Sequence, residues 1–129
     1  MIWNSVKNKP IHLIVSNDDV RNQIVQLLGK LSPKIKTFDS ASDFLNEPIS
    51  EAPACLITEV KLNDSDGIAF IKQMREHGFS TPVVVLADGS HSVNTAVEAI
   101  QAGAIDFIEQ PIVERDFLER MQNILNKEY

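Results

Sequence analysis

Cysteine is almost absent from this chain of 129 residues. The single thiol, Cys55, cannot close an internal disulfide, and a reducing, cytoplasmic setting is the expected one. It sits in an apolar stretch, where a thiol behaves as a small buried hydrophobe rather than a redox sensor. Long apolar runs are missing too. Nothing approaches the ~20 residues needed to span a bilayer, and the polar start, with Asn4, Lys7, Asn8 and Lys9, does not read as a secretory leader. Positive charge is in deficit: 12 Lys and Arg face 18 Asp and Glu, for a net charge of -6. That balance disfavours direct binding to nucleic acid, because phosphate neutralisation needs clustered cations. The three histidines, His12, His77 and His91, share no metal-ligand spacing and are expected at surface or loop positions. There is no glycine-rich phosphate loop and no Ser/His/Asp or Cys/His spacing that would motivate a hydrolase. A non-enzymatic single domain with one core is what these absences leave.

What is present is a regular alternation. Leu56-Ile57-Thr58-Glu59 is an apolar run ending on a carboxylate, followed by a polar loop that closes on Gly67. It reads as a buried parallel strand, and in such sheets the working groups sit just past the carboxyl ends of the strands. Residues 1–9 lack periodicity and form a lead-in, with Trp3 a candidate to pack on the body. Ile11 to Val15 is a short aliphatic strand that stops at Ser16-Asn17-Asp18-Asp19, turn and N-cap residues. Val20, Ile24, Leu27, Leu28 and Leu31 recur at helical spacing, and Pro33 ends that helix. Ile35, Thr37 and Phe38 give a second strand. Asp39-Ser40 with Asp43 resembles a capping arrangement for a short helix carrying Ala41, Phe44 and Leu45.

Pro48 and Pro53 bracket a loop before the central strand. Beyond Gly67, Ile68, Ile71 and Met74 mark a third helix closed at His77-Gly78. Val83 to Leu86 is an all-aliphatic strand. Val93, Ala96, Val97 and Ile100 mark a helix ending at Gly103, Ile105 to Ile108 is the fifth strand, and Pro111 precedes a last helix with Phe117, Leu118, Met121, Ile124 and Leu125 on one stripe. Five strands alternating with five helices on short connections predict a three-layer α/β domain, a parallel sheet with helices on both faces.

The run from Ala96 through Gly103-Ala104-Ile105-Asp106-Phe107-Ile108-Glu109-Gln110-Pro111 resembles an alanine-rich helix end leading into an Asp-aromatic-aliphatic-x-Lys-Pro junction. With Phe38, Ser40, Ala41, Phe44 and Leu45, it is similar to the receiver domains of bacterial two-component response regulators, in their FixJ/NarL-like branch. The resemblance spans about Pro10 to Leu125, and a receiver domain of residues 10–127 is the expected extent. It implies the CheY-like, flavodoxin-type fold with strand order 2-1-3-4-5. In that family two acids after the first strand and an aspartate ending the third hold Mg²⁺. The aspartate accepts a phosphoryl group from a histidine kinase, and a Thr or Ser and a Lys bind its oxygens. Three carboxylates within ~4 Å repel by several kcal/mol, so such a site requires a cation.

Carried over position by position, the resemblance puts Ser16 and Asn17 at the acidic pair, Glu59 at the phosphoacceptor, Ala87 at the hydroxyl and Gln110 at the lysine. Phe107 falls on the family's aromatic switch, and the Gln110–Pro111 bond is expected to be cis. The sequence therefore points to a degenerate receiver, independent of phosphorylation and of any cofactor. Such a module would act through protein contacts, either a homodimer or control of an attached DNA-binding output domain, on the surface of the fourth helix, fifth strand and fifth helix. For Glu59 three readings stand: a fixed structural or switch role, a plain strand-end acid, or true phosphoacceptance with Mg²⁺ held by Asp18, Asp19 and Glu59. A stand-alone adaptor is a further alternative. Asn17, Asp18 and Asp19 are read as helix-capping residues, and Asp64 and Asp66 as turn and cap residues.

Overall fold

The computed structural model describes residues 9–31, 34–47, 53–90 and 93–126. Its strands are β1 (Ile11–Ile14), β2 (Ile35–Phe38), β3 (Cys55–Glu59), β4 (Val83–Ala87) and β5 (Asp106–Glu109). They alternate with α1 (Asp18–Leu28), α2 (Ala41–Asn46), α3 (Gly67–Glu76), α4 (Val93–Ala102) and α5 (Glu114–Leu125). All four strand pairings are parallel and the order is β2-β1-β3-β4-β5. The expected three-layer, CheY-like architecture is the observed one.

Successive side chains on a strand point to opposite faces, and the aliphatic runs fill both. Leu56, Val83, Val85 and Ala87 join Phe44, Phe70, Ile71 and Met74 in one layer. Leu13, Ile57, Val84 and Leu86 join Ile24, Leu28, Phe117 and Met121 in the other. Such double-sided burial explains why β3 and β4 read as continuous apolar runs rather than alternating ones. Short polar side chains start α1, α2 and α3. Asn17 Oδ1 accepts the Val20 N–H at 3.1 Å, Ser40 Oγ that of Asp43 at 3.0 Å, and Asp66 Oδ1 those of Ile68 and Ala69 at 2.8 and 3.1 Å.

The structure corrects several expectations. His12 is not a surface or loop residue: it lies within β1, 4% exposed. The fifth strand runs one residue later than the apolar run suggests, and Ile105 stands partly exposed before it. On α4 the larger aliphatics that mark the helix, Val93, Val97 and Ile100, face outward at 80%, 47% and 48% exposure, while Ala99 and Ala102 face the core. Small residues on that face let α4 lie close to α3. Trp3, Pro33, Pro48 and His91 lie outside the described residues.

Two glycines mark close approaches. At Gly103, with φ +117, an added Cβ would also come within 2.8 Å of Arg75 Nε. The Arg75 guanidinium donates to the carbonyls of Phe79, Thr81 and Gly103 at 2.7, 2.9 and 2.9 Å, joining the end of α3 to the turns before β4 and β5. Gly67 opens α3 directly against the end of β3, its N–H donating to the Val60 carbonyl at 2.7 Å. A Cβ there would collide with the Glu59 carbonyl oxygen, a backbone atom that cannot swing aside. Gly67→Ala must therefore displace α3 from β3, and we expect a loss of at least ~2 kcal/mol in urea unfolding, the upper part of the range for overpacked sites.

Candidate functional site

The carboxyl ends of β1, β3, β4 and β5 converge, because the register sets Ile14 beside Thr58, Glu59 beside Leu86, and Ala87 beside Glu109. Glu59 is the half-buried last residue of β3. Its Oε1 accepts the Ser16 N–H at 2.6 Å, bridging β3 to the loop between β1 and α1. Ser16 in turn donates its hydroxyl to the Asp39 carbonyl at 3.2 Å, which continues the link to the end of β2.

Burial pushes the Glu59 carboxyl above its ordinary value of 4.5. The N–H groups of Ser16 and Asn17 favour the ionised form, Asp88 disfavours it, and Arg21 favours it weakly; desolvation outweighs them. Arg21 is itself engaged. Its guanidinium donates to the Val15 carbonyl at 3.1 Å and to Asp39 Oδ1 at 3.3 Å, and it pairs with Asp18.

The other positions carried over from the sequence lie around this carboxylate without adding charge. Ser16 presents its backbone N–H, and the Asn17 side chain is occupied as the cap of α1. Ala87 is buried at the end of β4, and its carbonyl accepts the Gln110 N–H at 2.9 Å. The Gln110–Pro111 peptide is cis. Phe107 is half-buried and packs against the layer that contains Ala87.

Asp18 and Asp19 stay in the exposed first turn of α1, and Asp18 turns to Arg21. Among the described residues no three His, Cys, Asp or Glu side chains gather as ligands of one ion. The family's Mg²⁺ thus has a poor donor set among the described residues: the Glu59 carboxylate, already bonded to a backbone N–H, with Asp88 the other acid acting on it.

Sequence reasoning missed the reach of Asp64. Its carboxylate accepts the N–H groups of Ala41 and Ser42 at 3.2 and 3.1 Å, so the loop after β3 caps α2 across space. The Ser42 hydroxyl first, then the N–H groups of Ser42 and Ala41, hold this carboxyl below the usual carboxylate range. Because the bond spans 22 residues, no local spacing announces it.

Comparison with known proteins agrees with this architecture. The family model for the response regulator receiver domain matches residues 11–122, and the chain belongs to that family. Its relatives include the response regulator protein TmoT of Ectopseudomonas mendocina, 30% identical over 89% of this chain and 52% of TmoT. Another is the transcriptional regulatory protein FixJ of Azorhizobium caulinodans, 31% identical over 79% of this chain and 48% of FixJ. The chain thus spans about half the length of these relatives. Among solved structures, a response regulator receiver protein from Pseudoalteromonas atlantica superposes with a TM-score of 0.83 at 34% identity, covering 91% of this chain and 97% of that one. These are signalling domains of two-component systems, linked to transcriptional regulators.

Glu59 gives a pH-dependent expectation. Its folded pKa lies above its unfolded value, so the stability it contributes is present below that unfolded value and lost as pH rises through the folded one. Glu59→Gln keeps an oxygen for the Ser16 N–H and removes the buried charge. Urea midpoints should therefore rise relative to the parent at about pH 7.5, and the gain should shrink by about pH 4.

Proposed function

We propose that this receiver domain is a pseudo-receiver, which regulates through protein contacts without passing through the aspartyl-phosphate cycle. The observation that carries the reading is the bond from Glu59 Oε1 to the Ser16 N–H, at the position where the family's phosphoacceptor works. That bond fixes the orientation of the carboxylate toward the loop between β1 and α1, and Glu also reaches about 1.5 Å further than Asp. In-line transfer is intolerant of such displacement. The neutral side chains of Ser16, Asn17, Ala87 and Gln110 support the same reading, because an arriving phosphoryl dianion would meet no lysine and no hydroxyl at the end of β4. In place of a switchable site the loop between β1 and α1 is tied permanently to β3.

The test combines millimolar Mg²⁺ with a small-molecule phosphoryl donor, read by intact mass and by ¹⁵N amide shifts. We expect no phosphoryl adduct and no joint movement of Ser16, Asn17, Glu59 and Gln110. A saturating shift of those amides with an adduct on Glu59 would establish the phosphoacceptor alternative, with Asp18 or Asp19 rearranged toward the metal.

The contact surface on this reading is the outer face of α4 with the start of β5. Val93, Val97 and Ile100 recur on one side of the helix, all exposed, and Ile105, exposed as well, precedes β5. A contiguous apolar stripe of this kind marks an interaction surface. We assign it to a second copy of the chain, with transcriptional output passing to an attached DNA-binding domain as in a regulator of the FixJ type. Paired substitution Val97→Glu and Ile100→Glu removes apolar contact and sets like charges together. Sedimentation equilibrium should show the parent self-associating and this variant monomeric with unchanged circular dichroism. A parent that is monomeric at every concentration would leave the adaptor reading, with a different protein on this face.

A further inference from the structure

The corner of the sheet formed by β2 and α2 is lightly built. Among the described residues strand β2 is an edge paired with β1, and α2 has six residues, of which Ala41 and Phe44 are buried. Beneath this corner lies His12. Its ring meets Phe38 of β2 edge-on at 5.5 Å and Phe44 of α2 at 5.7 Å. Phe38 and Phe44 are 5.2 Å apart, and Phe44 reaches Phe70 of α3 at 5.8 Å. The histidine therefore ties β1 to α2 by ring contact and adds to the parallel ladder that holds β2.

Within this aromatic box, Nδ1 of His12 is buried and has no hydrogen-bond partner among the described residues. A neutral imidazole can leave one nitrogen bare at modest cost. An imidazolium carries a proton on both nitrogens, and at Nδ1 that proton would point into apolar surroundings. We propose that His12 is a proton-operated pin that holds α2 and β2 on the sheet, and that protonating it releases them while β1, β3, β4 and β5 stay paired.

Among the described residues, the charges around the box are few. Lys36, the β2 residue in register with His12, holds its Nζ 5.7 Å from the centre of the Phe38 ring. It pairs with Glu47 at the end of α2, a clasp over the same corner. Asp43 of α2 is exposed, the β3 neighbour Leu56 is apolar, and α3 contributes Phe70. Burial and then Lys36 oppose the proton, while Glu47 favours it, and the result lies below the ordinary value of 6.5. The released state takes up the proton more readily than the closed one. The closed state therefore keeps its full advantage above pH 6.5 and loses it as pH falls toward the folded pKa.

Amide exchange corrected for intrinsic rates, followed from about pH 7.5 to about pH 4.5, tests this directly. Below the ordinary histidine value the opening equilibrium at Phe44 and along the β1–β2 ladder should rise by up to about tenfold per pH unit, with Val84 and Val85 unaffected. His12→Leu should flatten the dependence. Lys36→Met keeps the imidazole but removes the cation that opposes its proton, so the curve should level off at a higher pH. Protection of α2 that does not change with pH in the parent, or a slope that survives both substitutions, would overturn the proposal. Because His12 is not among the groups around Glu59, failure here leaves the pseudo-receiver reading untouched.

Discussion

A parallel sheet covered on both faces confines its polar chemistry to the ends of its strands. A charge buried between the two apolar layers would be cut off from solvent, so β4 is aliphatic throughout and β3 is apolar up to Thr58. Thr58 adapts by donating its hydroxyl locally, to the Glu59 carbonyl at 3.2 Å. Glu59 stands at the first point along β3 where a carboxylate is tolerated, still half-buried and still needing a partner. The Ser16 N–H answers that need, because the register of β1 against β3 brings the loop after Ile14 level with the end of β3. The close approach of Gly67 to the Glu59 backbone fixes the same strand end from the other side. The site is thus shaped first by sheet geometry and only then by its side chains.

The order and type of the elements were legible because each announces itself locally. Aliphatic runs gave the strands, and Asn17, Ser40 and Asp66 marked helix starts that the structure contains. What was not legible depends on contacts distant in sequence. His12 is a polar residue within an apolar run, and only the aromatic rings of Phe38 and Phe44 make its burial tolerable. The outward stripe of α4 has the spacing of a core stripe, and nothing local says that Ala99 and Ala102 take the inner face instead. Asp64 capping α2 and Arg75 gathering three carbonyls are tertiary arrangements with no short motif. At the candidate site, the sequence proposed Glu59 and its neighbours, while the Ser16 bond that Glu59 accepts came from the fold.

On the proposed reading the substitutions at the sheet end form one electrostatic solution. A metal-dependent receiver must hold several carboxylates together and balance them with a divalent ion and a lysine. Here the acidic positions are Ser16 and Asn17, so the repulsion on Glu59 is reduced to that of Asp88, and with Gln110 the lysine is absent as well. Restoring one member alone would not restore the chemistry: a lysine at position 110 would find a carboxylate already satisfied, and an acid at position 16 would face Glu59 without a cation. Arg21, the one cation shown to favour the charged form of Glu59, is engaged with Asp18, Asp39 and the Val15 carbonyl. Ala87 completes the arrangement. Without a hydroxyl at the end of β4 there is no group to follow a phosphoryl, and hence no lever between Glu59 and Phe107. The face of α4 and β5 is then held in one state by packing, and its control must come from what binds it.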